Sequence, residues 1–253
     1  MKILATLKLE FLFLCIVLNS CSYIYYPTHP VIPAKNSGFG VEASIGINRA
    51  QVSGWNSFNK NIYMVSNLAG AINNENDGDS VSRRVYHSVS GIIGIGIVTK
   101  LSKICDFHYQ VGAGYSRGYF RTSAFGENTV NVKSQGYRFY FQPALGFHEG
   151  ESSNRIFIVP KITYESFLSL ENHPTYGYNP MYKQTSNLRP RNFWIYELYF
   201  QYKRDLGNQW NLDYNLGFST GLLEYTAYKP RYILPSYVVS KPFLFNIGIC
   251  KQF

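Results

Sequence analysis

Trp210-Asn211-Leu212-Asp213-Tyr214-Asn215-Leu216-Gly217-Phe218-Ser219 decides how this chain is read. Every second residue is large and apolar, and every residue between is small, polar or charged. A period of two puts the two sets on opposite faces of an extended strand. The alternation recurs on both sides of this stretch. Tyr137, Phe139, Phe141, Leu145 and Phe147 oppose Arg138, Tyr140, Gln142, Gly146 and His148. Phe243, Phe245, Ile247 and Ile249 oppose Asn246, Gly248 and Cys250, and Phe39, Val41, Ala43, Ile45 and Ile47 oppose Gly40, Glu42, Ser44, Gly46 and Asn48. No segment carries a 3.6-residue apolar stripe, so the chain reads as all-β.

Ten strands are expected, at 39–47, 50–57, 61–73, 85–99, 104–120, 134–149, 154–170, 191–205, 209–225 and 238–253. Tight turns at 58–61, 100–103, 150–153 and 206–208 alternate with long connections at 74–84, 121–133, 171–190 and 226–237. Short connections on one rim and long ones on the other are the habit of outer-membrane barrels. The later strands exceed the roughly 5–6 residues usual in soluble sheets. They suit a tilted membrane strand of about 9–11 residues that continues into its loops. The expected architecture is an antiparallel up-and-down transmembrane β-barrel, with the aromatic face toward lipid and the polar face toward the lumen. A soluble lipocalin-like barrel would turn the apolar face inward.

Composition narrows the alternatives. Aromatic residues make up 17 % and charged residues 15 %, which excludes disorder and coiled coil. Mean hydropathy is −0.16, and no stretch approaches the roughly 18 apolar residues of a helical span. The net charge is +9, but the basic residues are scattered rather than clustered. That pattern favours anionic lipid or glycan over nucleic acid.

The N-terminus reads as an address. Residues 1–20 form a secretory signal, with Lys2 and Lys8 ahead of the apolar run 11–18. Leu18-Asn19-Ser20-Cys21 resembles a bacterial lipobox, which implies cleavage before Cys21 and acylation of its thiol. Residues 21–37 hold Pro27, Pro30 and Pro33 and read as an extended tether, and 38–253 as the barrel. The lipobox-like start, the proline tether, the Gly-containing first strand and Phe253 behind Phe245, Ile247 and Ile249 together resemble small lipobox-bearing outer-membrane β-barrel proteins of the Bacteroidota. That resemblance implies a lipid-anchored outer-membrane location and an architecture, and it names no activity.

Arg138, Lys161, Glu165, Glu197 and Lys203 fall on inward positions, as do Asp106 and His108, and charges in a narrow lumen have to pair. They are expected to form a salt-bridge network. The long connections carry Tyr with Lys and Arg: Tyr176, Tyr178, Tyr182, Lys183 and Arg189, then Tyr228, Lys229, Arg231, Tyr232 and Tyr237. Tyr offers a rigid face and a polar tip, so these loops are candidates for contact with lipopolysaccharide, glycan or an envelope protein. His87, His173, Asp77 and Asp79 would stand at the rim if the barrel were an enzyme acting on lipid or peptide. A narrow pore is the third possibility. Gly217-Phe218-Ser219-Thr220-Gly221 matches the G-x-S-x-G pattern, but it lies within a strand and lacks the strand-to-helix elbow. Gly112, Gly114 and Gly118 also sit in a strand, where small residues make room for Tyr140 or Tyr199. No cofactor or metal motif is present. Cys105 and Cys250 are expected to stay unpaired. Pro143 and Pro160 flank the turn at 150–153 at equal distances, so they are expected to face each other on the outward face. Their missing N–H groups are then expected to interrupt bonding to the outer neighbours rather than to each other.

Overall fold

The computed structural model describes residues 28–33, 38–46, 48–76, 82–124, 128–148, 154–172, 175–176, 186–188, 192–223 and 243–253. Ten long strands close a ring. They are β1 (Phe39–Gly46), β2 (Arg49–Ser57), β3 (Ile62–Asn76), β4 (Ser82–Lys100), β5 (Cys105–Ala124), β6 (Asn128–His148), β7 (Arg155–Asn172), β10 (Asn192–Gly207), β11 (Trp210–Leu223) and β12 (Phe243–Gln252). Two short strands, β8 (Thr175–Tyr176) and β9 (Ser186–Leu188), add to the ends of β6 and β7. Every pairing is antiparallel, and β1 with β12 closes the ring, Gly40 opposite Gln252 and Ile45 opposite Ile247. All ten expected strands are present.

The barrel is tilted as its register requires. Paired residues lead once around the wall from Asp205 through Asn211, Cys250, Glu42, Ser53, Asn67, Ile92, Gly114, Arg138 and Glu165 to Phe193. The path returns to β10 twelve residues from its start. Ten strands with that stagger incline by about 40° to the barrel axis.

Alternation in sequence becomes inside and outside. Ile93, Val111, Phe139, Phe141, Leu198, Phe200 and Ile247 are exposed on the outer wall, while Gln110, Arg138, Gln142, Gln201, Asp213 and Asn246 are buried in the lumen. The fold is inside-out relative to a soluble barrel.

Two connections are shorter than the sequence suggests. Strands β3 and β4 run to Asn76 and from Ser82, and β5 and β6 run to Ala124 and from Asn128, where long loops were expected at 74–84 and 121–133. The apolar–polar alternation fades there because neither face is held against an apolar phase. The backbone ladder needs no such alternation and continues. At the opposite rim the turns are tight. Asn208 and Gln209 both have positive φ, 50° and 68°, the twist that matches a two-residue hairpin, and the Gly207 N–H donates to Asp205 Oδ1 at 2.6 Å.

The two prolines face each other as the turn geometry requires. On both sides of them β6 and β7 keep one register, Phe141 opposite Ile162 and Leu145 opposite Ile158, which puts Pro143 across from Pro160. Both point outward. The ladder breaks elsewhere than expected, however. No pairs form between 142–144 and 159–161, whereas Tyr109 with Pro143 and Leu198 with Pro160 stay paired. The prolines therefore occupy a site where opposed residues would exchange both N–H bonds, so both losses fall on the shared ladder.

Candidate functional site: a stoppered lumen

The lumen contains part of the chain itself. Residues 28–33, expected as part of an extended tether, lie inside the barrel. Thr28, His29, Val31 and Ile32 are each 3 % exposed or less, and Pro30 and Pro33 are buried with them. Their backbone is held by side chains from the wall, as buried peptide groups demand. Lys161 Nζ donates to the Thr28 carbonyl at 2.8 Å and to its hydroxyl oxygen at 2.9 Å, and the Tyr199 hydroxyl donates to the same carbonyl at 3.2 Å. The His29 N–H donates to Gln51 Oε1 at 2.9 Å. Below them the segment turns apolar. Val31 packs with Trp55, Tyr63, Val65, Val98 and Cys250. Ile32 belongs to the cluster of Ala144, Phe157, Val159, Tyr199 and Leu244.

The large side chains around the stopper fit because small ones face them. A Cβ on Gly94 or Gly112 would fall on Tyr140, one on Gly96 on Tyr63, one on Gly217 on Tyr199, and one on Gly146 on Phe157. Gly112 and Gly217, members of glycine patterns that mimic catalytic or phosphate motifs, are thus the sockets of lumen tyrosines. Ser219 is buried in the lumen wall of β11.

Charged residues pair in steps up the lumen. Near the tight-turn rim, Asp106 lies 3.4 Å from His148 Nε2 and 3.7 Å from an Arg155 nitrogen. His108 is wedged between Tyr63 and Phe157, with ring centroids 6.0 and 5.6 Å away. Lys203 sits between Glu42 at 3.0 Å and Asp213 at 2.9 Å, all three side chains fully enclosed. Gln201 Nε2 donates to Asp213 at 2.6 Å. Higher up, Lys161 lies 3.2 Å from Glu197, which also accepts from Tyr199 at 2.7 Å and Thr163 at 3.1 Å. Arg138 lies 2.6 Å from Glu165, and the Ser116 hydroxyl reaches the same carboxylate.

The structure thus brings Arg138 to Glu165 and Lys161 to Glu197, but gives Lys203 different acids. Glu42 and Asp213 were absent from the expected network, although strand parity alone puts both inward. The stopper was also missed. Its one sequence signal is Val31-Ile32, two adjacent β-branched apolar residues between Pro30 and Pro33.

Among the rim candidates, His87 is exposed on the outer wall of β4, its ring 6.2 Å from that of Tyr119. Asp77, Asp79 and His173 lie outside the described residues, as do Cys21, Tyr178, Tyr182, Lys183, Tyr228, Lys229, Arg231 and Tyr232. Tyr176 is paired through its backbone with Asn128. Cys105 and Cys250 are free thiols.

Neither a family model nor a curated protein matches this sequence. Among solved structures, the translocator domain of the autotransporter NalP from Neisseria meningitidis is similar over 86 % of this chain and 87 % of that chain, at 9 % identity and a TM-score of 0.48. The β domain of the Bordetella autotransporter BrkA is similar over 85 % and 99 % at 9 % identity and a TM-score of 0.40. The KdgM porin is similar over 85 % and 99 % at 8 % identity and a TM-score of 0.36. The likeness lies in the barrel and goes no further.

Proposed function

We propose that this chain is an outer-membrane β-barrel lipoprotein that works through its outer face and not as a channel. The observation that carries this reading is an apolar wall wrapped around a lumen already filled by Thr28–Pro33. The outward side of β10 supports the membrane assignment. Trp194, Tyr196, Leu198, Phe200 and Tyr202 follow one another there, aliphatic and Phe residues flanked by Tyr and Trp. Trp194 to Tyr202 spans about 20 Å along the axis of a tilted strand, close to the apolar band of about 25 Å between aromatic girdles. Tyr164 packs on Trp194 at 4.9 Å on the long-loop side. Lys251 lies 5.1 Å from the Trp210 ring and 5.0 Å from that of Phe253 on the tight-turn side, a cation held where a wall meets headgroups.

In this reading the tight-turn rim faces the periplasm and the long-loop rim faces outward. Residues 1–20 are removed and Cys21 carries the lipid anchor. The loop residues Tyr176, Tyr178, Tyr182, Lys183, Tyr228, Lys229, Arg231 and Tyr232 meet lipopolysaccharide, glycan or an envelope protein. Reconstitution in planar bilayers tests the closed lumen. The expected result is a silent membrane, and steady ohmic steps from the intact protein would overturn it. Mass spectrometry of the mature N-terminus tests the anchor. A free α-amine on a residue other than Cys21 would refute it.

A further inference from the structure

The stopper has a direction. At its C-terminal end, Val31 packs on residues close to the tight-turn rim. Trp55 and Val98 each lie two residues before the end of their strands, β2 and β4, and Cys250 lies two before the end of β12. Just beyond, Gly38 is at that rim, its carbonyl accepting from the Ser57 N–H at 2.9 Å. At the other end, Thr28 is held by Lys161 and Tyr199, both well inside β7 and β10. From Thr28 to Pro33 the chain therefore runs toward the tight turns.

What precedes Thr28 has two ways out of the barrel. One is back past Val31 and Ile32 to the tight-turn rim. At that level the section is filled by Trp55, Tyr63, Phe157 and Tyr199, each 1 % exposed or less, with the stopper between them. A second length of backbone needs about 4.8 Å of lateral room, and the packed ring leaves none. The other way is toward the long loops, where the lining changes character. The inward residues there include Arg49 and Ile195 with the small Ala71, Ser90, Ser116, Ser134 and Ser219. None of these described side chains is aromatic, so no packed ring like the one below closes that way.

We propose that the chain is threaded through its own barrel from the long-loop mouth, so that the residues before Thr28, with any acyl group on Cys21, are presented on the outer side of the membrane. The assignment of that side to the cell surface rests on the reading of the protein as an outer-membrane barrel. The reach is sufficient. Cys21 lies seven positions before Thr28, a stretch that can span about 25 Å. On β7, the girdle residue Tyr164 is only three residues, about 10 Å, beyond Lys161.

Thiol labelling with a membrane-impermeant maleimide tests this. Ser22→Cys and Tyr23→Cys are compared with two fixed markers, Arg121→Cys, exposed at the long-loop end of β5, and Asn208→Cys, exposed in a tight turn. The unsubstituted protein supplies the blank. The expected result is that both N-terminal positions react in intact cells together with Arg121→Cys, while Asn208→Cys reacts only after permeabilisation. N-terminal positions that follow Asn208→Cys, or that stay unreactive in folded protein under both conditions, would overturn the threading. An exchange of the two markers would instead overturn the membrane orientation, and the threading is still read from which marker the N-terminal positions accompany. An epitope inserted between Ser22 and Tyr23 gives a second readout. Antibody binding to intact cells supports threading, and binding only to permeabilised cells refutes it.

Discussion

Lys203 shows what a single residue does in this lumen. Its ammonium is enclosed between Glu42 and Asp213 and lies 5.8 Å from the Trp55 ring. Removing the cation leaves two carboxylates facing each other without water. Lys203→Met is expected to destabilise the folded barrel by about 3–5 kcal/mol, read as a lower urea midpoint in detergent micelles. A midpoint within error of the wild type would show that the cluster is hydrated and inessential. Glycine sockets make the opposite kind of site. A methyl group at Gly112 would strike the Tyr140 ring, whose hydroxyl accepts from Gln110 Nε2 at 2.6 Å. Gly112→Ala is expected to cost about 1–3 kcal/mol as overpacking, and Tyr140→Phe in the same background to recover little of it, because the clash is with the ring. At this scale the sequence is informative about direction and poor about partners. Parity placed Arg138, Lys161, Glu165, Glu197 and Lys203 inward. Which acid each cation meets depends on the stagger around the barrel, which no local pattern encodes.

The β6–β7 hairpin carries the lesson for elements. Its register was legible because a tight turn fixes which residues are opposed, and Phe141 and Ile162 do face each other. What the turn does not reveal is whether a given opposed pair is of the hydrogen-bonded or the open kind. Pro143 and Pro160 fall on the bonded kind, so two carbonyls lose their donors on the apolar outer wall. Replacing both prolines with alanine restores two N–H groups. Each bond contributes about 0.5–1.5 kcal/mol, offset by about 0.4–1 kcal/mol per site from the freer unfolded chain. The double variant is expected to gain about 1 kcal/mol in the same unfolding measurement. New slowly exchanging amides should appear at 143 and 160. Fast exchange at both would mean that the strands stay apart for another reason. The long outer hairpins mark the limit of pattern reading. Beyond Tyr115 and Tyr137 the apolar–polar alternation fades, so the sequence looks like loop while the ladder continues.

For the whole molecule, the sequence specified a ten-stranded barrel and hid its filling. Thr28–Pro33 has no periodicity, and its partners lie between 22 and more than 200 residues away, on β2, β3, β4, β6, β7, β10 and β12. Val31→Asp combined with Ile32→Asp puts two carboxylates among Trp55, Phe157 and Tyr199 and is expected to expel the segment. The variant should still insert, and should show conductance steps in planar bilayers where the intact protein shows none. A silent variant that remains folded by heat-modifiable gel mobility would show that the wall side chains alone close the lumen.

The stopper also imposes an order in time. Val31 shares one buried cluster with Trp55 on β2 and Cys250 on β12, strands that lie on either side of the β1–β12 seam where the ring closes. A hoop whose narrow section has no spare room cannot be closed first and filled afterwards. The segment has to be lying between those strands when β12 meets β1. Residues that leave the ribosome early are thus among the last to be enclosed.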